Sequence, residues 1–194
     1  MHYEVTSEHR QSAKHAHELF IGNLIVLHIV LPVFLLKAGD IRYALMIPVI
    51  SAIIILFIRQ RANSLSLDDT KWYEMVHWKL ASGRSKFLFI AYFISASIFL
   101  LGWMISQSAT KATDAEIQMM IFTYLGIIPT FIIVLVTFVL ESGALFHAGK
   151  GEVPDSMVEK FPPPAGWESI EAKAADAEAK TESQAKHQNE GSQA

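Results

Sequence analysis

Four apolar runs, Leu19–Leu36, Tyr43–Ile58, Phe87–Ile105 and Ile117–Leu140, dominate this chain, and none contains a Lys, Arg, Asp or Glu. A bilayer hydrocarbon core about 30 Å thick asks for roughly 20 mostly apolar residues in a helix that crosses it. The second run is short, but Arg42, Arg59 and Arg61 flank it and can extend their charges to the interface. Lipid offers backbone groups no hydrogen-bond partner, so such runs cross as helices. The expected fold is an all-α membrane protein, a four-helix transmembrane bundle of up-down-up-down order. It occupies residues 1–150, with spans near 19–36, 43–58, 87–105 and 117–146.

Charge sets the expected orientation. The segment between the second and third runs carries Arg59, Arg61, Lys71, Lys79, Arg84 and Lys86, and the N-terminal stretch adds Arg10 and Lys14. The other loops hold only Lys37 and Arg42 in one case and Lys111 in the other. Positive residues stay on the cytoplasmic side, which places both termini and the middle segment there, as a multi-pass protein of a cell inner membrane. The first run reads as an uncleaved span, because it exceeds a signal-peptide core and Leu36-Lys37-Ala38-Gly39-Asp40 is no small-x-small cleavage site. A net charge of −3 leaves no footprint for nucleic acid. The absence of cysteine excludes disulfides, thiolate metal sites and thiol nucleophiles.

Between the runs, Lys37–Arg42 is short enough for a tight helical hairpin, with Gly39 as a left-handed C-cap. In the middle segment, Ser66, Asp68 or Asp69 can cap a helix through Trp72, Tyr73, Met75, Val76, Trp78 and Leu80, with Gly83 as its stop. Its aromatic residues suit the headgroup level, so it is expected as a cytoplasmic interfacial helix. Thr113-Asp114-Ala115-Glu116 reads as a capping box opening the fourth helix. Beyond Lys150, Pro154 and Pro162-Pro163-Pro164 break any helix and Glu168–Ala194 lacks an apolar face, so residues 151–194 are expected to be a disordered cytoplasmic tail.

Polar groups within spans are the first places to look for function. His28 lies mid-run, and Pro32 four residues later removes the helical donor of its carbonyl. It is the candidate cofactor ligand, for a haem b shared with a second histidine of another chain, since no other run holds a histidine at that depth. Along the fourth helix Glu116, Thr123, Thr130 and Thr137 recur every seven residues, and Glu141 follows, forming a seam that must face protein or water. Ala91, Ser95 and Gly102 in the third run suit close helix contact. His15, His17, Glu141 and His147 reach one membrane face and form a candidate metal set.

No nucleophile elbow, zinc-hydrolase helix, phosphate loop or dinucleotide fingerprint occurs, so no enzymatic activity is expected. The expected role is a non-catalytic accessory or scaffold subunit of a larger inner-membrane complex, its partners being the lipid bilayer and either other subunits or further copies of itself. A redox membrane-anchor subunit holding haem or metal through histidines is the first alternative, and a small transporter using the Thr seam and Glu141 the second. Reporter fusions after Ala62 and Gly149 should be cytoplasmic and one near Lys111 external; an external signal at Ala62 would reverse the orientation.

Overall fold

The computed structural model describes residues 1–38, 41–66 and 68–191, and among these the chain is helical, with two isolated β-bridges and no strand. Four helical stretches are long and apolar enough to cross a membrane: Ser7–Leu35, Tyr43–Leu65, Asp69–Ser106 and Ala112–Lys150. The first is built from α1 (Ser7–Gly22), a π-helical stretch over Asn23–Val30 and α2 (Leu31–Ala38). Thr6 caps α1 by accepting from the His9 amide. The wide π turns end at Leu31, just before Pro32, where a proline ring would crowd the carbonyl one turn back. The expected interruption in this span takes that form. Gly39 lies outside the described residues.

The second stretch ends in α3 (Met46–Leu65), with Pro48 in its first turn, where a missing amide donor costs little. The third is α4 (Trp72–Ser106), the fourth α5 (Ala112–Lys150), which passes through Pro129 without a break. At 1.5 Å per residue these last two measure about 52 and 58 Å, well beyond a bilayer core. The surplus is where the protein packs its core.

That core lies where the start of α1, the start of α4 and the end of α5 meet. Tyr3, Ala13, Ala16, Phe20, Trp72, Tyr73, Val76, Ala148 and Val153 are all buried there, while Phe93, Leu100, Met104 and Tyr124 further along the spans are exposed. A short helix, α6 (Asp155–Lys160), adds Met157 and Val158 to the core. The extended N-terminus is sewn to this end: the Tyr3 amide donates to the Gly151 carbonyl at 2.8 Å, Val153 to Met1 at 2.9 Å and Ile170 to His2 at 2.9 Å. Gly151 closes α5 at φ 85°, and a Cβ there would stand 2.7 Å from the Tyr3 carbonyl, so glycine is required twice over.

Three expectations change. The middle segment forms no separate interfacial helix: Trp72–Leu80 are the opening turns of α4, and Gly83 is an ordinary helical residue within it. Trp72 through Trp78 are buried by α1, α3, α5 and the C-terminal segment, and that enclosure keeps the helix in register with the span. The fourth helix starts at Ala112, before Thr113, and Lys111 stands at its cap without a side-chain bond, so the capping box does not form. Residues 151–170 are docked rather than loose. Trp167 stacks on Tyr73 and donates to the Asp69 carbonyl, and Trp72 donates to the Phe161 carbonyl. Beyond them, α7 (Ile170–Gly191) is a polar helix whose residues 171–180 are exposed.

Helices α4 and α5 pack closest at two glycines. A Cβ on Gly102 would stand 2.3 Å from Cβ of Phe122, next to the opposing backbone, whereas one on Gly126 would meet the rim of the Phe99 ring at 2.9 Å. A ring edge can turn aside; a Cβ cannot. Gly102→Ala should therefore lower the detergent melting temperature clearly, by overpacking worth about 1–3 kcal/mol, and Gly126→Ala should lower it less. The reverse ranking in thermal melts would contradict this packing.

Candidate functional site

Small residues bring three helices together around one polar group. Ala13 and Ala16 on α1, Ala81 on α4, and Ala144 and Ala148 on α5 are all buried, and their short side chains let longer ones converge between them. The converging groups are His17, His77, Arg84 and Glu141. Glu141, His17 and His77 have no exposed surface. His17, Arg84 and Glu141 stand within three residues of the ends of the apolar runs, and His77 lies ten residues before the third run, further from the spans.

Glu141 is the hub. Its Oε2 accepts from Nδ1–H of His17 at 2.6 Å, and its Oε1 accepts from the Arg84 guanidinium at 3.2 Å. Arg84 also donates to the Leu140 carbonyl at 2.8 Å. On the other side of His17, Nε2 lies 3.1 Å from Nδ1 of His77, the rings nearly perpendicular at 89°. Tyr73 packs against His77 and donates its hydroxyl to the Ala148 carbonyl at 2.8 Å.

Proton placement in this chain is constrained. If His17 is neutral, its proton is on Nδ1 and its Nε2 accepts from His77; if it is the imidazolium, it donates to both neighbours. In each case Nε2 of His77 is left buried without a hydrogen-bond partner. The Glu141 carboxylate and the two imidazoles can hold or pass a proton beside the fixed positive charge of Arg84, and the open nitrogen of His77 can take a partner or a ligand.

A second polar group sits deeper, within the apolar runs. In the π-helical stretch, Nδ1–H of His28 donates to the Asn23 carbonyl at 3.1 Å, and its Nε2 accepts from the Tyr92 hydroxyl. The Asn23 amide donates to Ser51 Oγ at 3.0 Å. These bonds join the first three spans. Both ring nitrogens of His28 are engaged in them, so the side chain presents no free nitrogen to an iron. Ser95 and Thr130 bond each other at 2.8 Å and tie α4 to α5.

Of the candidate metal set, the structure joins only His17 and Glu141. His15 is exposed and pairs with Glu18 at 3.0 Å, and His147 is exposed and pairs with Glu152. That imidazole holds the Glu152 carboxyl below the usual carboxylate range. Among the described residues no group of three or more His, Asp or Glu is placed to hold a metal ion. The Thr seam does face protein along half its length: Thr137 and Glu141 are buried and Thr130 is bonded to Ser95, while Glu116 is exposed. Sequence reasoning missed His77, Ser51 and Tyr92. His77 stands between Tyr73 and Ala81 at spacings of four, on the face that α1 and α5 cover, and that spacing was the available signal.

Removing one partner of a buried ion pair strands the other in a medium that cannot hydrate it, a loss of about 3–5 kcal/mol. Glu141→Ala should therefore lower the unfolding temperature strongly in detergent, and Thr137→Ala, one turn away, should change it little. Equal melting of the two variants would show that Glu141 does not organise this end. Compared with family models, curated proteins and solved structures, the chain matches none.

Proposed function

We propose that this chain is a non-catalytic, multi-pass subunit of a larger inner-membrane complex, acting by packing rather than by chemistry. One observation carries the reading: three pairs of polar side chains within the spans bond one another across helices. Asn23 bonds Ser51, His28 bonds Tyr92 and Ser95 bonds Thr130, and each contact joins two spans. The outward faces are left to large apolar side chains such as Phe34, Phe93, Tyr124 and Val139, all more than 60% exposed, which suit lipid or the spans of another subunit. In this reading the bundle runs up-down-up-down, with both termini and the packed end in the cytoplasm. The charge asymmetry of the loops supports that orientation.

A redox membrane-anchor is the second reading, and the open Nε2 of His77 beside His17 favours it. The two readings separate in one preparation. The protein is solubilised mildly from its native membrane, resolved on a native gel, and its bands examined by absorption spectroscopy and metal analysis. Migration with other polypeptides and no Soret band in the chain purified alone is the expected outcome. A haem or metal stoichiometry near one per chain, lost in His77→Leu or His28→Leu, would promote the anchor, and migration as a species containing this chain alone would end the accessory reading.

A further inference from the structure

Helices α3 and α4 meet along a seam whose register side-chain contacts define. Lys79 Nζ donates to Asn63 Oδ1 at 2.7 Å, while Ser51 and Tyr92 bond Asn23 and His28, about one turn apart on the first span, so residue numbers on the two helices fall in opposite directions along the seam. Arg59, one turn from Asn63, therefore stands level with Gly83. Lys79 and Lys86 lie two turns apart on one face of α4, about 10 Å from each other, with Gly83 between them. Gly83 is exposed, and no heavy atom lies within 4 Å of where its Cβ would stand. The missing side chain of Gly83 leaves an open notch in the surface of α4, and Arg59, Lys79 and Lys86 all stand within about one helical turn of its level.

Those cations lack acidic partners. No Asp or Glu occurs from Ile41 to Leu67 or from Met75 to Thr113. The buried carboxylates that flank this region are already used: Glu74 accepts from Ser12 and His9, and Glu141 from Arg84 and His17. Among the described residues Arg59, Lys79 and Lys86 form no ion pair. The notch also sits where the second and third apolar runs end, at Ile58 and Phe87. From it, exposed apolar side chains continue into the membrane part of both helices, Leu56 on α3 and Ile90 and Phe93 on α4.

We propose that this notch is a binding site for an anionic phospholipid, its phosphate held by Arg59, Lys79 and Lys86 over Gly83 and its acyl chains lying along Leu56, Ile90 and Phe93. Charge complementarity selects an anion, and the apolar strip directly below the cations selects one attached to hydrocarbon. A basic recess between spans at the headgroup level is a recurrent seat for such lipids. The lysine and arginine stems can lie along the apolar strip while their charged ends reach the phosphate.

The test uses the full chain, purified in detergent and stripped of native lipid, with phosphatidylglycerol or phosphatidylcholine added and bound lipid counted by native mass spectrometry. Wild type should retain one phosphatidylglycerol per chain in clear preference to phosphatidylcholine. The Arg59→Gln/Lys79→Gln/Lys86→Gln variant should bind phosphatidylglycerol about a hundredfold more weakly, at several-fold for each cation lost near the surface. Arg61→Gln/Lys150→Gln/Lys160→Gln removes the same charge elsewhere and should keep the preference. Gly83→Leu leaves every cation in place, suits a helix better than glycine and fills the notch, and it should lose the preference while melting no lower than wild type. Absence of a preference in wild type, or equal losses in the two triple variants, or an unaltered preference in Gly83→Leu, would overturn the site.

Discussion

The carboxylate of Glu141 has no contact with solvent, and a charge so placed must be matched within the protein. His17 and Arg84 match it from two other helices, so the pairing fixes how α1, α4 and α5 sit against one another at this end. The buried alanines around it are a consequence, since only short side chains leave the room that three long polar ones need. The aromatic cluster of Tyr3, Trp72, Tyr73 and Trp167 adjoins the group through Tyr73, which packs against His77. Burial of an ion pair is a poor source of net stability, but it penalises every arrangement in which a partner is missing. The polar group thus selects one packing among many that apolar surfaces alone would allow.

Within the spans the selection is of another kind. Hydrophobic attraction between helices is weak in lipid, where tails are as apolar as leucine, and hydrogen bonds and close backbone approach take its place. The Asn23–Ser51 and His28–Tyr92 bonds and the Gly102–Phe122 contact are those two devices. The π-helical stretch belongs to the first. By widening the turn ahead of Pro32 it alters the facing of His28 relative to an ordinary helix, and the imidazole reaches both the Asn23 carbonyl and Tyr92.

The four membrane-crossing helices were legible because hydrophobic runs free of charge have few other uses. The polar seam of α5 was legible for the same reason, and Glu141 could be singled out from sequence. What could not be read was the part of the fold outside the apolar runs. Trp72–Trp78 carry aromatic residues that suit a headgroup-level helix equally well, and only their enclosure by α1, α3, α5 and residues 151–170 shows that they continue the span. The docking of residues 151–170 was hidden by their prolines, since Trp167, Met157 and Val158 are too few to make a periodic pattern. His77 is flanked in sequence by Val76 and Trp78, and its partner His17 lies 60 residues away.

His17 and Glu141 are separated by 124 residues of chain. At a synthesis rate of about 5–20 residues per second, the acid emerges roughly 6–25 s after the histidine. Throughout that interval His17, and later Arg84 and His77, wait without a counter-charge at the end of spans that have no fourth helix to lean on. The first three spans must therefore persist as a provisional hairpin and a half, held by apolar transfer and by contacts among themselves such as Asn23–Ser51, His28–Tyr92, Ser12–Glu74 and Lys79–Asn63. Closure of the polar group is then a late and single event in the assembly of the chain, and it is the arrival of α5 that turns three inserted helices into one folded molecule.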